Sequence, residues 1–436
     1  MWFDEAVVYQ IYPLGLCGAP RENDGISVPR ILRVLDWVEH IRALGADTVL
    51  FNPVFQSDRH GYDTRDYFTL DCRLGGNEDL AQVCRALHDA GLRVMLDGVF
   101  NHVGRGFWAF QDVLRHREDS PYRDWFHLDF GGNTEYGDGF WYRGWEGHNE
   151  LVALNQDNPA VLEHQCRAIR SWVERFDIDG LRLDVAYCLT PSYLRSLRRF
   201  ADGLKPGFVL MGETLHGDYN QWMNGEMCHS VTNYECYKGL YSSFNSLNMF
   251  EIAHSLQRQF GQEPWALYRD SHMLAFLDNH DVNRIASTLE NPAHLPLAYG
   301  LLFGMPGVPA VYYGSEWGIA GRKDETGDLP LRPELSRPQW NGLTDWIARL
   351  ARVRRSSPAL CRGSYRCLHL TNRQLIFERA AEGERVLVAV NADGADYVAH
   401  FDASAGRAVD LISGRAHDFG GGSRLPPYSI FYWKTE

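Results

Sequence analysis

The chain has 436 residues, enough for one large α/β domain and a smaller companion, and 13% of them are aromatic. Its net charge is −13, from 43 basic and 56 acidic side chains interspersed along the chain, which sets aside nucleic acid as a partner. No apolar stretch is long enough to cross a bilayer.

The first residues, WFDEAVVYQIYP, carry acids and run straight into a strand, unlike a secretory signal. VVYQIYP (7–13) reads as that strand. Residues 28–45 then place Ile31, Val34, Leu35, Val38, Ile41 and Leu44 at helical spacing. TVLFNPV (48–54) is a second strand, and residues 77–90 put Leu80, Val83, Cys84 and Leu87 on one helical face. RVMLDGVFNH (93–102) is a third strand that stops at Asp97, Asn101 and His102. Residues 103–155 hold many Trp, Phe, Tyr, Gly and Asp with no helical period. They are too long for a plain loop and predict an inserted subdomain.

Asn158-Pro159 and Thr190-Pro191 look like helix N-caps followed by a first-turn proline. Between them lies GLRLDVA (180–186), an apolar strand carrying Arg182 and Asp184 on one face, since strand residues two apart point the same way. An unpaired charge is costly to bury, so the two are expected to meet. They form either a structural ion pair or a carboxylate kept ionised beside a guanidinium. FVLMGE (208–213) ends in Glu213. SVTNY (230–234) follows, and then HMLAFLDNHD (272–281), ending in Asp278, Asn279, His280 and Asp281. VPAVYYG (308–314) makes eight strands in all.

Apolar strands alternating with helices predict a parallel sheet covered on both faces. Acids and imidazoles at successive strand ends predict a (β/α)8 barrel, a TIM barrel with its site at that rim. From about 360 the pattern changes to short alternating runs, SYRCLHL to SIFYWK, which predict an antiparallel β domain of six or more strands. The expected organisation is a catalytic barrel over 1–102 and 156–355, an inserted subdomain over 103–155, and a C-terminal β-sandwich over 356–436. The nine cysteines form no CxxC pair, which suggests reduced thiols in a cytoplasmic protein.

DGVFNH, GLRLDVA, the Glu of GETLHG and FLDNHD resemble the four signature regions of the α-amylase family of retaining glycoside hydrolases (family 13), in order and at comparable separations. FNPVFQSDRHGYDTRDYFTLD (51–71) and GVPAVYYGSEWGIAG (307–321) are similar to its second- and eighth-strand regions. LVALN (151–155), FNPVF and HGYDTRDY are in the style of the neopullulanase, cyclomaltodextrinase and maltogenic amylase group. The resemblance implies Asp184 as nucleophile, Glu213 as general acid/base and Asp281 as a third carboxylate that binds ring hydroxyls. It implies that His102 and His280 hold hydroxyls of the sugar being cut, that Tyr62 is its stacking platform, and that Asp97 supports the site through Arg182. Glu213 would be protonated because neighbouring carboxylates raise its pKa, while Arg182 would keep Asp184 charged.

Asn101 sits where secreted amylases place a calcium ligand. The other ligands of such a site are not recognisable, so no metal or other cofactor is expected to be required. Asp324 and Arg332 would reach the next sugar outward or lie on a solvated loop. Three and four residues after Asp184 stand Tyr187 and Cys188, where many relatives carry Lys-His or Asn-Glu. Tyr187 would stack on an acceptor sugar or pack on the barrel rim. Trp141 and Trp222 are further candidates for aromatic contacts. The N-terminal β domain with which that group builds dimers does not precede the barrel here, so dimerisation by that route is not expected.

The implied activity is hydrolysis of α-1,4-glucans and maltooligosaccharides, with α-1,6 bonds or cyclodextrins as further substrates. The alternatives are a 4-α-glucanotransferase on the same scaffold and a non-catalytic glycan-binding protein.

Overall fold

The computed structural model describes residues 1–436, and eight parallel strands form its centre. They are β1 (Val8–Ile11), β2 (Thr48–Phe51), β3 (Arg93–Gly98), β4 (Gly180–Leu183), β5 (Val209–Gly212), β6 (Ser230–Val231), β7 (Leu274–Phe276) and β8 (Val308–Tyr312). The hydrogen-bonded order is β6-β5-β4-β3-β2-β1-β8-β7. A parallel bridge between Thr232 and Leu274 then joins β6 to β7, so the sheet closes into a barrel. The strands are shorter than the apolar runs suggest. YP after β1 and NPV after β2 leave the ladder at their prolines, which cannot donate to it.

Alternation along the strands fills the barrel in layers. Val8, Leu50, Met95, Val209, Leu274, Phe276, Val308 and Ala310 form one dry inner cluster. Two residues further along, Asp97 and Arg182 face each other across the β3–β4 register. The apolar interior therefore gives way to charge only at the C-terminal rim. The outer faces of the strands and the surrounding helices make the main core. Asn158 and Thr190 cap their helices by accepting from the backbone N–H of Ala160 and Tyr193, as their positions before proline predict.

Two local expectations change. Residues 30–44 are a 3-10 segment (Arg30–Trp37) followed by an α-helix (Val38–Leu44) rather than one helix. The inserted segment is not free of helix: Trp108–His116 is helical, with Ala109, Phe110 and Val113 buried. Its period was hidden because the adjoining aromatics pack from every side, as Trp108 does against Tyr122 and Trp125. A three-stranded antiparallel sheet, His102–Gly104 with His148–Ala153 and Gly144–Trp145, ties this segment to the rim.

Beyond the barrel come β9 (Ser364–Leu370), β10 (Gln374–Ala381), β11 (Glu384–Asn391), β12 (Tyr397–Ala399), β13 (Arg407–Asp410), β14 (Ala416–Asp418), β15 (Ser423–Leu425) and β16 (Ser429–Thr435). Six pair in the order β9-β10-β11-β16-β13-β14, and β12 pairs with β15. One face of this sheet joins the main core and the other forms its own cluster around Ile376, Leu387 and Trp433. The helix His294–Gly304 meets the first face through two glycines one turn apart. A Cβ on Gly300 would lie 2.7 Å from Ile430 Cδ1, and one on Gly304 would lie 3.0 and 3.1 Å from the two methyls of Val388. Gly304→Leu is expected to cost about 1–3 kcal/mol by overpacking this junction. Thermal denaturation reads the loss, and an unchanged melting temperature would show that the sheet shifts freely.

Candidate active site

The charged residues at the barrel rim converge on one guanidinium. Arg182 Nη1 donates to both oxygens of Asp97, at 2.7 and 2.6 Å, and lies 3.2 Å from Asp184 Oδ1. Its Nη2 lies 2.7 Å from Glu213 Oε1. All four side chains are buried. Glu213 Oε2 accepts the backbone N–H of Val185 at 3.0 Å. That N–H is turned toward Glu213 by a left-handed backbone at Val185, φ 39°, where a β-branched residue is strained.

Three carboxyls around one cation alter the electrostatics expected from the sequence. Arg182 was expected to hold Asp184 in its ionised form. Burial instead pushes the Asp184 carboxyl well up, against the pull of Arg182 and with help from Glu213 and Asp97. The guanidinium is shared, and its shorter contacts go to Asp97 and Glu213. Burial also raises Glu213 and Asp97, with Arg182 opposing in both. Asp281 behaves differently. Burial alone would raise it, but His280, Arg332 and Arg182 outweigh that and bring it down to about 2. Its oxygens lie 3.0 Å from His280 Nε2 and 2.9 Å from Arg332 Nη2.

Both histidines are neutral donors. Gln10 Nε2 donates to His280 Nδ1 at 3.1 Å, which leaves the proton on Nε2, and burial pushes this imidazole well below its ordinary value. Tyr62 accepts from His280 Nε2 and donates to Asp97 Oδ2 at 3.1 Å. The Tyr62 and His280 rings are nearly parallel, 11° apart with centroids at 5.6 Å. Asn101 Nδ2 donates to His102 Nδ1 at 3.1 Å, so Nε2 carries the proton there too, and burial brings His102 down to about 3. His102 Nε2 is buried, has no hydrogen-bond partner, and lies 3.9 Å from Asp184 Oδ2. A buried donor without a partner is rare, and this one borders the cavity at the rim.

That cavity has a volume of about 550 Å³, and Asp184, Glu213, Asp281, Tyr62 and His102 all line it. Arg332 and Tyr187 also reach it. Arg332 is fixed by the carbonyl of His280 at 3.0 Å and by Asp328 at 3.1 Å. Tyr187 donates to Glu146 Oε1 at 3.3 Å. Asp97, Arg182 and His280 lie behind the cavity wall rather than on it, with Asp97 in contact with Arg182. Asp324 does not line the cavity. It is exposed, and its carboxylate accepts the backbone N–H of Thr326 at 2.8 Å in a tight turn. Its neighbours Lys323 and Asp328, paired at 2.8 Å, occupy the wall instead. Spacing along an irregular loop does not show which acid turns inward.

Of the tryptophans, Trp145 lines the cavity, with His148 stacked on it at 5.7 Å, and neither Trp141 nor Trp222 does. The strand pairing of Gly144–Trp145 with His148–Ala153 aims Trp145 inward. Two-residue strands leave no periodicity from which to read that.

The side chain of Asn101 is engaged with its neighbours. Asn101 Nδ2 is spent on His102, its amide oxygen accepts from Gln156 Nε2 at 3.1 Å, and no group of three or more His, Cys, Asp or Glu is placed to bind a metal.

A family model described as "Alpha amylase, catalytic domain" matches residues 31–348. A cyclomaltodextrinase from a Bacillus species is 29% identical over 418 residues, covering 91% of this chain and 74% of that protein. Neopullulanase 2 of Thermoactinomyces vulgaris is 31% identical over 424 residues, covering 90% of this chain and 70% of that protein. Ligand-free cyclic α-maltosyl-(1→6)-maltose hydrolase from Arthrobacter globiformis has a TM-score of 0.85 at 27% identity, and the match covers 100% of both chains.

Proposed function

The chain belongs to the α-amylase family of glycoside hydrolases, and from that premise we propose that it cleaves α-1,4-linked maltooligosaccharides with retention, through a covalent glucosyl–Asp184 intermediate. The observation that carries this reading is the single guanidinium bridging Asp184 and Glu213. Retaining enzymes need two carboxyls about 5 Å apart, and inverting enzymes need them further apart, to admit a water. One planar group touching both acids supports the shorter spacing.

Asp184 has the geometry of the nucleophile. Its side chain lines the cavity, and its Oδ2 lies 3.9 Å from the unpartnered Nε2 of His102. Glu213 is the acid that protonates the leaving oxygen and later takes a proton from water. Both its oxygens accept N–H donors, which pull its pKa down, but burial and the charge of Asp281 outweigh them and hold the carboxyl above its ordinary value. A glucoside that fills the cavity and expels water deepens that burial and further favours the protonated acid. His102 and ionised Asp281 hold the hydroxyls of the reacting sugar, with Tyr62 against its apolar face; His280, whose ring nitrogens are taken by Gln10 and Tyr62, sets the positions of Tyr62 and Asp281. Nine free cysteines support a cytoplasmic location.

The test is product analysis on maltotriose, pullulan and β-cyclodextrin, with the first-formed anomer followed by proton NMR. Glucose and maltose are the expected products from maltotriose, with the newly created reducing end appearing first as the α-anomer. Initial β-anomer would overturn retention. Longer chains from maltotriose would make the protein a 4-α-glucanotransferase, in which Tyr187 holds the acceptor.

A further inference from the structure

The side chain of Gln156 joins three parts of the rim that are far apart in sequence. It stands where the inserted segment ends, just before the helix Pro159–Phe176. Its Oε1 accepts the backbone N–H of Thr190 at 2.6 Å. Its Nε2 donates to the carbonyl of Cys188 at 3.2 Å and to Asn101 Oδ1 at 3.1 Å. Cys188 and Thr190 follow β4, and Asn101 follows β3. Gln156 does not line the catalytic cavity.

The two backbone groups leave this amide one orientation. A peptide N–H only donates and a carbonyl only accepts, so the oxygen of Gln156 faces Thr190 and its nitrogen faces Cys188. The remaining N–H of Gln156 then meets Asn101 and selects its oxygen. That turns Asn101 Nδ2, which only donates, toward His102 Nδ1 at 3.1 Å. His102 Nδ1 therefore offers a lone pair, and the ring proton sits on Nε2.

We propose that Gln156 is a positioning residue that sets the tautomer of His102, so that an N–H rather than a lone pair faces the cleft. The proposal deepens the catalytic reading above, on which its kinetic consequence rests. Burial keeps this imidazole neutral, bringing it down to about 3, so the only variable left is which nitrogen holds the proton. His102 Nε2 has no partner within the protein and lies 3.9 Å from Asp184 Oδ2. As a donor it serves a sugar oxygen and presents partial positive charge to the attacking carboxylate. As an acceptor it would set a lone pair against that carboxylate. The partner of one ring nitrogen fixes the state of the other. Here that control reaches one side chain further, to a residue that touches neither the ring nor the cavity.

Gln156→Glu tests the proposal. The carboxylate keeps the contact with Thr190 but has no N–H to give. Asn101 then turns its amide over to donate to it, and the Asn101 oxygen draws the ring proton to His102 Nδ1. Nitrogen-15 NMR of histidine-labelled enzyme at neutral pH, without substrate, reads the tautomer, with His102→Ala to identify the signals. The proton is expected on Nε2 in the wild type and on Nδ1 in the variant. On maltotriose kcat/KM should fall roughly tenfold or more, as for loss of one buried donor. In a His102→Ala background the same substitution should cost nothing further, because its target is gone. If Gln156→Glu does not fold, Gln156→Met removes both amide groups at similar length and should leave a mixture of the two tautomers. A wild-type ring protonated on Nδ1, an Nε2–H that persists unmixed in the variant, or a loss that adds in full to that of His102→Ala would each overturn the proposal. A wild-type enzyme that leaves maltotriose uncleaved would overturn the α-glucan reading instead, and the spectra would still decide the role of Gln156.

Discussion

Asp184→Ala is expected to lower turnover on the order of 10⁴-fold or more, and azide should restore part of it as a β-glucosyl azide. The substitution vacates the space from which the carboxylate attacks. Azide entering there makes one displacement at the anomeric carbon, which inverts an α-glucoside. Glu213→Ala should behave differently. With an aryl glucoside whose leaving group needs no proton, the first step proceeds and the glucosyl–Asp184 ester accumulates. Azide then releases an α-glucosyl azide, because two displacements restore the starting configuration. Loss of general acid and base catalysis alone is worth roughly 10²–10⁴-fold, so unactivated maltooligosaccharides should suffer more than the aryl glucoside. The two anomers are distinguished by NMR. This pair of variants also decides between the acids, since in the free cleft Asp184, not Glu213, has the freer oxygen. If the anomers came out exchanged, the two roles would be exchanged as well.

Arg182→Met should destabilise the folded protein by about 3–5 kcal/mol at neutral pH, the usual loss when one partner of a buried ionic group is removed. Asp97, Asp184 and Glu213 then face one another without their shared cation. The pH dependence has a definite sign. All three carboxyls already titrate above their ordinary values when folded, through burial. Removing the guanidinium raises them further. Between the ordinary carboxylate range and the raised folded values, the folded state binds more protons than the unfolded one. Stability therefore falls as pH rises through that window and is recovered on acidification. Denaturant unfolding at pH 5 and pH 8 should show the gap between variant and wild type widening at the higher pH. A gap that stays constant would mean that the acids compensate by other contacts.

The strand ends carried most of what could be read in advance. Asp97, Arg182, Asp184, Glu213, His280 and Asp281 each close an apolar run, and a run that stops at a charge marks the rim of a parallel barrel wherever it falls in the chain. The loops carried much less. Asp324 and Asp328 are both acids on one irregular segment, and only folded geometry shows that the second turns inward. Trp145 rather than Trp141 faces the cavity because of a strand pair two residues long. The sharing of Arg182 was also hidden. A sequence shows that an arginine lies two residues from an aspartate, but not that two more acids, from β3 and from the end of β5, will compete for it.

That competition governs how any titration of this enzyme is to be interpreted. Three acids in contact with one guanidinium gain and lose protons as a unit, so the inflections of a rate profile are macroscopic constants of the group and name no single side chain. Changing Asp97, which never meets the sugar, moves those inflections as surely as changing a residue that does.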